Sequence, residues 1–489
     1  MTPFYILLTI LAYFAILFAV SYVAGRKADS AGFYSGNRQN NWALVAMSTI
    51  GAAISGVTFV SVPGMVQGAA FSYMQMVLGF TVGQILIAYV LIPLFYRLNL
   101  TSIYQYLNHR FSTTSYKTSA WIFFVSKMLG ASVRLFVVSA VLQSLVFGPL
   151  GIPFWLNALL TTAMVYLITF RGGVKSVVWT DLLKTCCLIL SVALCIWFVI
   201  RSGVGLKGMS DAPMARTFFF DNPKEPTFFW KQFLAGIFLV IATTGLDQDM
   251  MQRTLSCKNY KESQKNMITG AVLQIFVIGL FLVLGYLLYT YAATNGIDLS
   301  GMKGDDVFPY LATGNFFPVI VGILFIVGFI AAAYSAAGSA LTALTTSFSV
   351  DILGIQKHDE SKQKTIRTYV HIMMSVIMAV LLCVIYVLND DAIIQTVYKV
   401  ASYTYGPLLG MFCFGMFTRF NIRDKWIPVV VLAAPVITWI IDAHSVVWFN
   451  GYAFSHERLL LNALLTFVGM LCLVKGKVKS ERIASAKLG

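Results

Sequence analysis

The chain has 489 residues, 58% of them hydrophobic and only 11% charged, with a mean hydropathy of +0.77 and a formal net charge of +15. No water-soluble domain of this length needs so much apolar surface, so composition excludes a soluble enzyme or binding module and indicates an integral membrane protein. The seven cysteines form no CxxC pair and the sequence contains no GxxxxGK[ST], HExxH or GxSxG. Neither a metal centre, an organic cofactor nor nucleophilic catalysis is therefore expected, and movement of a solute outranks chemistry as the function.

Apolar runs of roughly 18 to 30 residues, each enough to cross about 30 Å of hydrocarbon as a helix, recur along the chain. They predict an all-α integral membrane protein with about 13 transmembrane helices. The spans fall near 3–24, 41–69, 71–96, 118–146, 153–170, 176–200, 229–250, 267–292, 318–348, 369–388, 392–417, 427–441 and 459–474. The first, "PFYILLTILAYFAILFAVSYVAG", lacks a basic n-region and an A-x-A-like cleavage site, so it is expected to be a retained helix. Threading the spans with the N-terminus outside puts 24 of the 35 lysines and arginines in cytoplasmic loops, 7 outside and 4 within spans. That asymmetry predicts N-out, C-in, and accounts for the positive charge through the bilayer surface, without nucleic acid. The basic tail 475–489 is expected to be solvated beside anionic lipid, and nothing in the sequence sets the oligomeric state.

Two spans carry helix-breaking residues. Residues 41–69 contain "GAAISGVTFVSVPG", and residues 229–253 contain "ATTGLDQDMMQR" with two carboxylates, Asp247 and Asp249. Unwound backbone is tolerated at membrane depth only around a cavity, and broken helices at matching positions of two halves indicate the midplane site of a secondary transporter. The spacing predicts an inverted five-helix repeat, 41–201 against 229–418, with one helix before (3–24) and two after (427–474). The plainer alternative is that these small residues only let helices pack closely.

Between the breaks, Lys127 and Arg134 lie seven residues apart on one face of a span. An arginine at that depth costs at least about 2.5 kcal/mol unless paired or facing water, so Arg134 is expected to point into a cavity, where its planar fork suits a carboxylate. A structural pair with Asp247 or Asp249 is the alternative. Further on, Asp181 stands three residues before Lys184, where a helical ion pair would satisfy it. In "AAAYSAAGSALTALTTSF", residues 331–348, the hydroxyls of Ser335, Ser339, Thr342 and Thr346 line one helical face that could hold an ion.

Several stretches resemble the sodium/solute symporter family: "LIPLFYRLNLTSIYQYLNHRF" at 91–111, "GGVKSVVWTDLLKT" at 172–185, "DQDMMQRTLSCKN" at 247–259, "TTSFSVDI" at 345–352 and "SYTYGP" at 402–407. The resemblance implies inverted five-helix repeats and a sodium ion between the first and eighth repeat helices. Carried over by position, its ligands are the carbonyls of Gly51, Ile54 and Ala332 and the hydroxyl of Ser335, an all-oxygen set that suits a hard cation. This chain departs from the family at Ala336 and Gly338, where side-chain oxygens are usual. A second Na+ site, as in some relatives, would fall at Asp181, Ser335 and Ser339. The pattern is similar to the sialic acid transporters of the family, which implies solute contacts from Ser55, Thr58, Phe71, Gln75 and Arg134. A neutral sugar or a monocarboxylate is the alternative cargo, and a channel-like or receptor-like protein the alternative class.

Coupling energetics bear on the cargo. One Na+ moving down about 100 mV and a tenfold gradient releases roughly 3.7 kcal/mol, enough to concentrate a neutral solute about 500-fold. A monovalent anion carried with one Na+ moves no net charge and keeps only about tenfold, which two ions would raise again.

Overall fold

A computed structural model describes residues 3–26, 30–170, 172–206, 208–314, 316–388, 391–452 and 454–477. Within these, the side chains of 3–6, 30, 31, 35, 145, 210, 333, 335, 391–402 and 477 lie outside the description. The helices in chain order begin with α1 (Pro3–Gly25), α2 (Trp42–Ala53), α3 (Gly56–Gly64), α4 (Tyr73–Arg97) and α5 (Thr113–Leu142). They continue with α6 (Phe154–Thr169), α7 (Val174–Arg201), α8 (Phe229–Gly245), α9 (Gln248–Thr254) and α10 (Tyr260–Thr294). Last come α11 (Val319–Ile352), α12 (Glu360–Leu388), α13 (Asp391–Phe417), α14 (Ile427–Trp448) and α15 (Arg458–Cys472).

The two expected breaks are present. α2 and α3 are bent by 64° and α8 and α9 by 73°, so each pair is one interrupted span. A helix belongs at each predicted span, and the outer faces of α12 and α14 carry the apolar side chains expected against lipid: Tyr369, Val380 and Val387 on one, Leu432, Val436 and Trp439 on the other, all exposed.

Inside the bundle, helices meet where small residues allow it. α7 lies along α11, α8 along α4 and α13 along α15. At the α4–α8 crossing, a Cβ on Gly79 would sit 2.2 Å from the Phe233 carbonyl oxygen, and one on Gly236 would sit 2.4 Å from that of Met76. Only glycine on both sides lets these backbones touch, which in a bilayer replaces the hydrophobic drive that lipid cannot supply. Behind α3, Phe59 packs against Phe281, Phe308 and Phe325, anchoring the outer half of the first broken span to α10 and α11.

At the start of the tail β2 (Val474–Lys477) pairs antiparallel with β1 (Phe420–Ile422), which ties the end of α15 to the loop after α13, with Lys475 exposed. The rest of the tail lies outside the described residues.

Candidate functional site

The first break falls at Ile54 and Ser55, both extended, with φ/ψ of −92°/103° and −88°/167°. Ser55 and Thr58 then cap α3 reciprocally. The Thr58 N–H donates to Ser55 Oγ at 3.3 Å, and the Ser55 N–H donates to Thr58 Oγ1 at 3.3 Å. Because the Ser55 N–H turns to Thr58, it does not close the next helical bond onto Gly51. Among the described residues, no backbone N–H reaches the carbonyls of Gly51, Ala52, Ala53 or Ile54. Four carbonyl oxygens at the negative end of α2 are thus left for a cation or water. Gly51 also sets the α2–α7 distance, since a Cβ there would lie 2.0 Å from Thr185 Oγ1. α11 packs against both α2 and α3, with Ala332 buried on it. Ser335 is in the same helix, its side chain outside the described residues.

At the second break a π-helical turn, Ile241–Gly245, gives way to Asp247, which caps α9 by accepting from the N–H groups of Asp249 (2.9 Å) and Met250 (3.4 Å). The same carboxylate accepts from Lys127 Nζ (3.0 Å) and from the Tyr405 hydroxyl (2.7 Å). Lys127 also meets Asp249 at 2.8 Å, and Asp249 in turn holds Arg253 at 2.8 Å and accepts from Ser339. Arg253 lies 3.7 Å from Asp181, which is 3.4 Å from Lys184 and accepts from Ser48 at 3.2 Å. Alternating charges therefore run Lys127, Asp247 and Asp249, Arg253, Asp181, Lys184, all buried or nearly so. Desolvating such groups is tolerable only in mutual pairing, so the chain fixes α9 relative to α5, α7 and α11.

The "DQDMMQR" stretch is spent on this clasp. Gln248 bonds the Ile103 N–H (2.9 Å) and the Thr101 carbonyl (3.0 Å), and Gln252 donates to the Tyr34 carbonyl (2.6 Å) and Thr346 Oγ1 (2.8 Å). The hydroxyl stripe of α11 accordingly faces α9: Ser339 and Thr346 are engaged by Asp249 and Gln252.

A cavity of about 540 Å³ lies between the two breaks. It is bounded by Ile54 and Thr58, by Lys127 and Arg134 of α5, by Thr243, Thr244 and Asp247, and by Tyr405 of α13. It extends to Ser455, His456 and Arg458 before and at the start of α15. Below Asp249 only a narrow cleft remains, lined by Gln252, Arg253, Ser339 and Thr342, with no space for a water molecule.

The structure sorts the predicted residues. Arg134 and Thr58 line the cavity, and so does Ala336. Ser55 is buried and occupied in the cap. Of the other predicted solute contacts, Gln75 is fully buried, accepts from the Phe219 N–H (3.0 Å) and donates to the Thr227 carbonyl (2.8 Å), and the Phe71 backbone N–H donates to the Arg216 carbonyl (3.0 Å). Neither residue is part of the cavity lining. Tyr73, Phe80 and Gln84 line it instead. Lys127, not read as a carboxylate partner, meets both Asp247 and Asp249. Asp181 stands between Lys184 and Arg253, while Ser339 donates to Asp249, so these two members of the predicted second ion site point to different partners.

The comparisons with known proteins agree with this architecture. The chain is 26% identical over 470 residues, 90% of its length and 88% of the relative's, to the sodium/sialic acid symporter NanT of Aliivibrio fischeri. It is 26% identical to the sodium-coupled monocarboxylate transporter 1 of Mus musculus, covering 82% of this chain and 66% of that one. A solved structure described as the substrate-bound outward-open state of a Na+-coupled sialic acid symporter superposes with a TM-score of 0.82, covering 96% of this chain and 99% of that chain at 17% identity, which establishes the fold. The model of the sodium:solute symporter family matches residues 33–423, and the chain belongs to that family.

Proposed function

We propose that this multi-pass membrane protein is a Na+-coupled symporter, not an enzyme, that imports a monoanionic sugar such as sialic acid by alternating access between its two five-helix repeats. The observation that carries the reading is the charge around the cavity. Lys127 and Arg134 of α5 share the cavity wall with Asp247 and Asp249, and Lys127 meets both aspartates. The planar guanidinium of Arg134 on that wall suits the carboxylate of an anionic sugar in a low-dielectric site, a group that a neutral sugar lacks.

The free carbonyls at the α2 end support Na+ held by Gly51, Ile54, Ala332 and Ser335, where the ion would fix the first break in the shape that also receives the solute. Coupling needs no more than this: ion and solute stabilise the same state. The similarity to the sodium/sialic acid symporter NanT and the cavity volume, which exceeds what a short monocarboxylate fills, favour a sugar acid over the monocarboxylate reading.

The deciding measurement is binding to the purified protein in Na+. Arg134→Ala should weaken sialic acid at least about tenfold, the loss of a charge-assisted pair, with the Na+-dependent thermal shift kept. Undiminished binding by the variant removes Arg134 from the site, and uptake of neutral sugars with no response to acids overturns the anionic cargo. Counterflow of labelled solute in proteoliposomes separates a carrier, which exchanges, from a channel, which does not.

A further inference from the structure

The second Na+ site expected from the sequence needs Asp181 and Ser339 to turn their oxygens toward one ion, and the residues do not fit that task. Lys184 Nζ donates to Asp181 Oδ1 at 3.4 Å, while Oδ2 accepts from Ser48 Oγ at 3.2 Å and lies 3.7 Å from Arg253 Nε. Two cations of the protein thus already stand at this carboxylate. Lys184 and Asp181 are 3% and 0% exposed, and neither lines the cavity. Ser339 donates to Asp249 instead, and the cleft beside it has no room for a water molecule. The charges along these contacts also balance: Lys127, Arg253 and Lys184 stand against Asp247, Asp249 and Asp181. A further cation would add an uncompensated charge to a buried, low-dielectric cluster. A hard cation is held by several oxygens that face it, whereas Asp181 faces nitrogen donors. The end of α2 is the contrast, since among the described residues no backbone N–H competes there for the carbonyls of Gly51 and Ile54.

We infer that the Lys184 ammonium is a tethered counter-ion that takes the place of a second Na+, so that this carrier moves one Na+ per solute. With a monoanionic cargo the loaded carrier then gains no net charge, and the membrane potential does not drive uptake. This deepens the Na+-coupled reading above and rests on it. Lys184 fixes the ion count through the charge it supplies. Lys184→Gln removes that charge and leaves an amide oxygen in its place. Asp181 is then left with Ser48 and with Arg253, a guanidinium that Asp249 already holds at 2.8 Å. A buried carboxylate so placed recruits a cation, and Na+ is the one that the carrier meets in every cycle.

The test titrates radiolabelled Na+ against the purified full-length protein without cargo. The wild type should saturate at about one Na+ per chain and Lys184→Gln at about two, since the variant exchanges a fixed cation for a mobile one. Proteoliposomes loaded to an inside-negative potential of about 100 mV give the second readout. Accumulation of sialic acid by the wild type should change by less than about twofold, whereas two ions per monoanion would raise it about 50-fold. Wild-type protein that binds two Na+, or whose sialic acid uptake follows the potential, overturns the inference whatever the variant does, so a variant that fails to fold does not shield it. Lys184→Gln that keeps its Na+-dependent thermal shift and still binds one ion overturns it too. The ion count needs no cargo: wild type that takes up no sialic acid overturns the anionic reading and leaves the count to decide this inference. Wild type that binds no Na+ overturns the coupled reading and this inference with it.

Discussion

Lys127 is one ammonium between two carboxylates, 3.0 Å from Asp247 and 2.8 Å from Asp249. Asp249 keeps Arg253 if Lys127 is lost, but Asp247 keeps only neutral donors, Tyr405 and two backbone N–H groups. Lys127→Met should therefore destabilise the protein by about 3–5 kcal/mol, the usual cost of removing one partner of a buried pair. Adding Asp247→Asn should recover a good part, since the amide oxygen still caps α9 without a bare charge. Thermal unfolding in detergent of the two variants checks this, and an unaltered midpoint for Lys127→Met would show that the ammonium is dispensable. The sequence placed Lys127 and Arg134 on one face but not which of them meets the aspartates. That choice depends on where α5 crosses the second break, a tertiary fact that spacing along one helix does not contain.

The interrupted helices were legible in the sequence because the chemistry of a break is local: Gly51, Ser55 and Thr58 supply a helix end, a cap and its reciprocal partner within eight residues. The lining of α4 was not. Two Phe-x-x-x-Gln pairs fall here, Phe71 with Gln75 and Phe80 with Gln84; Gln75 and Gln84, nine residues apart in α4, lie on opposite helical faces. Which face looks inward is decided by the 201–228 loop, which takes Gln75 through Phe219 and Thr227. The α2–α7 contact allows a test of the first break. Gly51→Ala forces a methyl to within 2.0 Å of Thr185 Oγ1 and pushes α2 outward, shifting the carbonyls proposed to hold Na+. The expected cost is about 1–3 kcal/mol of stability, and the Na+ concentration for half-maximal uptake should rise. Thr185→Ala removes the obstructing oxygen, and the double variant should recover much of the Na+ affinity. If the double variant is as impaired as Gly51→Ala alone, the close packing of α2 on α7 is not what positions the carbonyls.

At the scale of the whole molecule the cavity is asymmetric. It reaches the rim formed by Arg458, which pairs with Asp442 at 3.0 Å, an aspartate also bonded by Tyr403 at 2.8 Å. At the other end the path is shut by Asp249, Arg253 and Gln252, with Phe33 fully buried beyond them under Arg367. The rim lies in the loop that charge asymmetry assigns to the outside, and with that orientation we propose that the arrangement is a carrier open outward and closed inward. Cysteine labelling tests opening and orientation together, in a background without the seven native cysteines, of which Cys186 and Cys472 are exposed. A membrane-impermeant maleimide added outside should modify Ser455→Cys rapidly and Thr342→Cys hardly at all. Na+ with sialic acid should slow labelling at Ser455→Cys, because a solute held between Arg134 and the rim occupies the cavity that joins them. Labelling of Ser455→Cys solely from the cytoplasmic side would reverse the orientation. Equal labelling of both positions from one side would mean a continuous pore, which alternating access forbids because its two ends are never open at once.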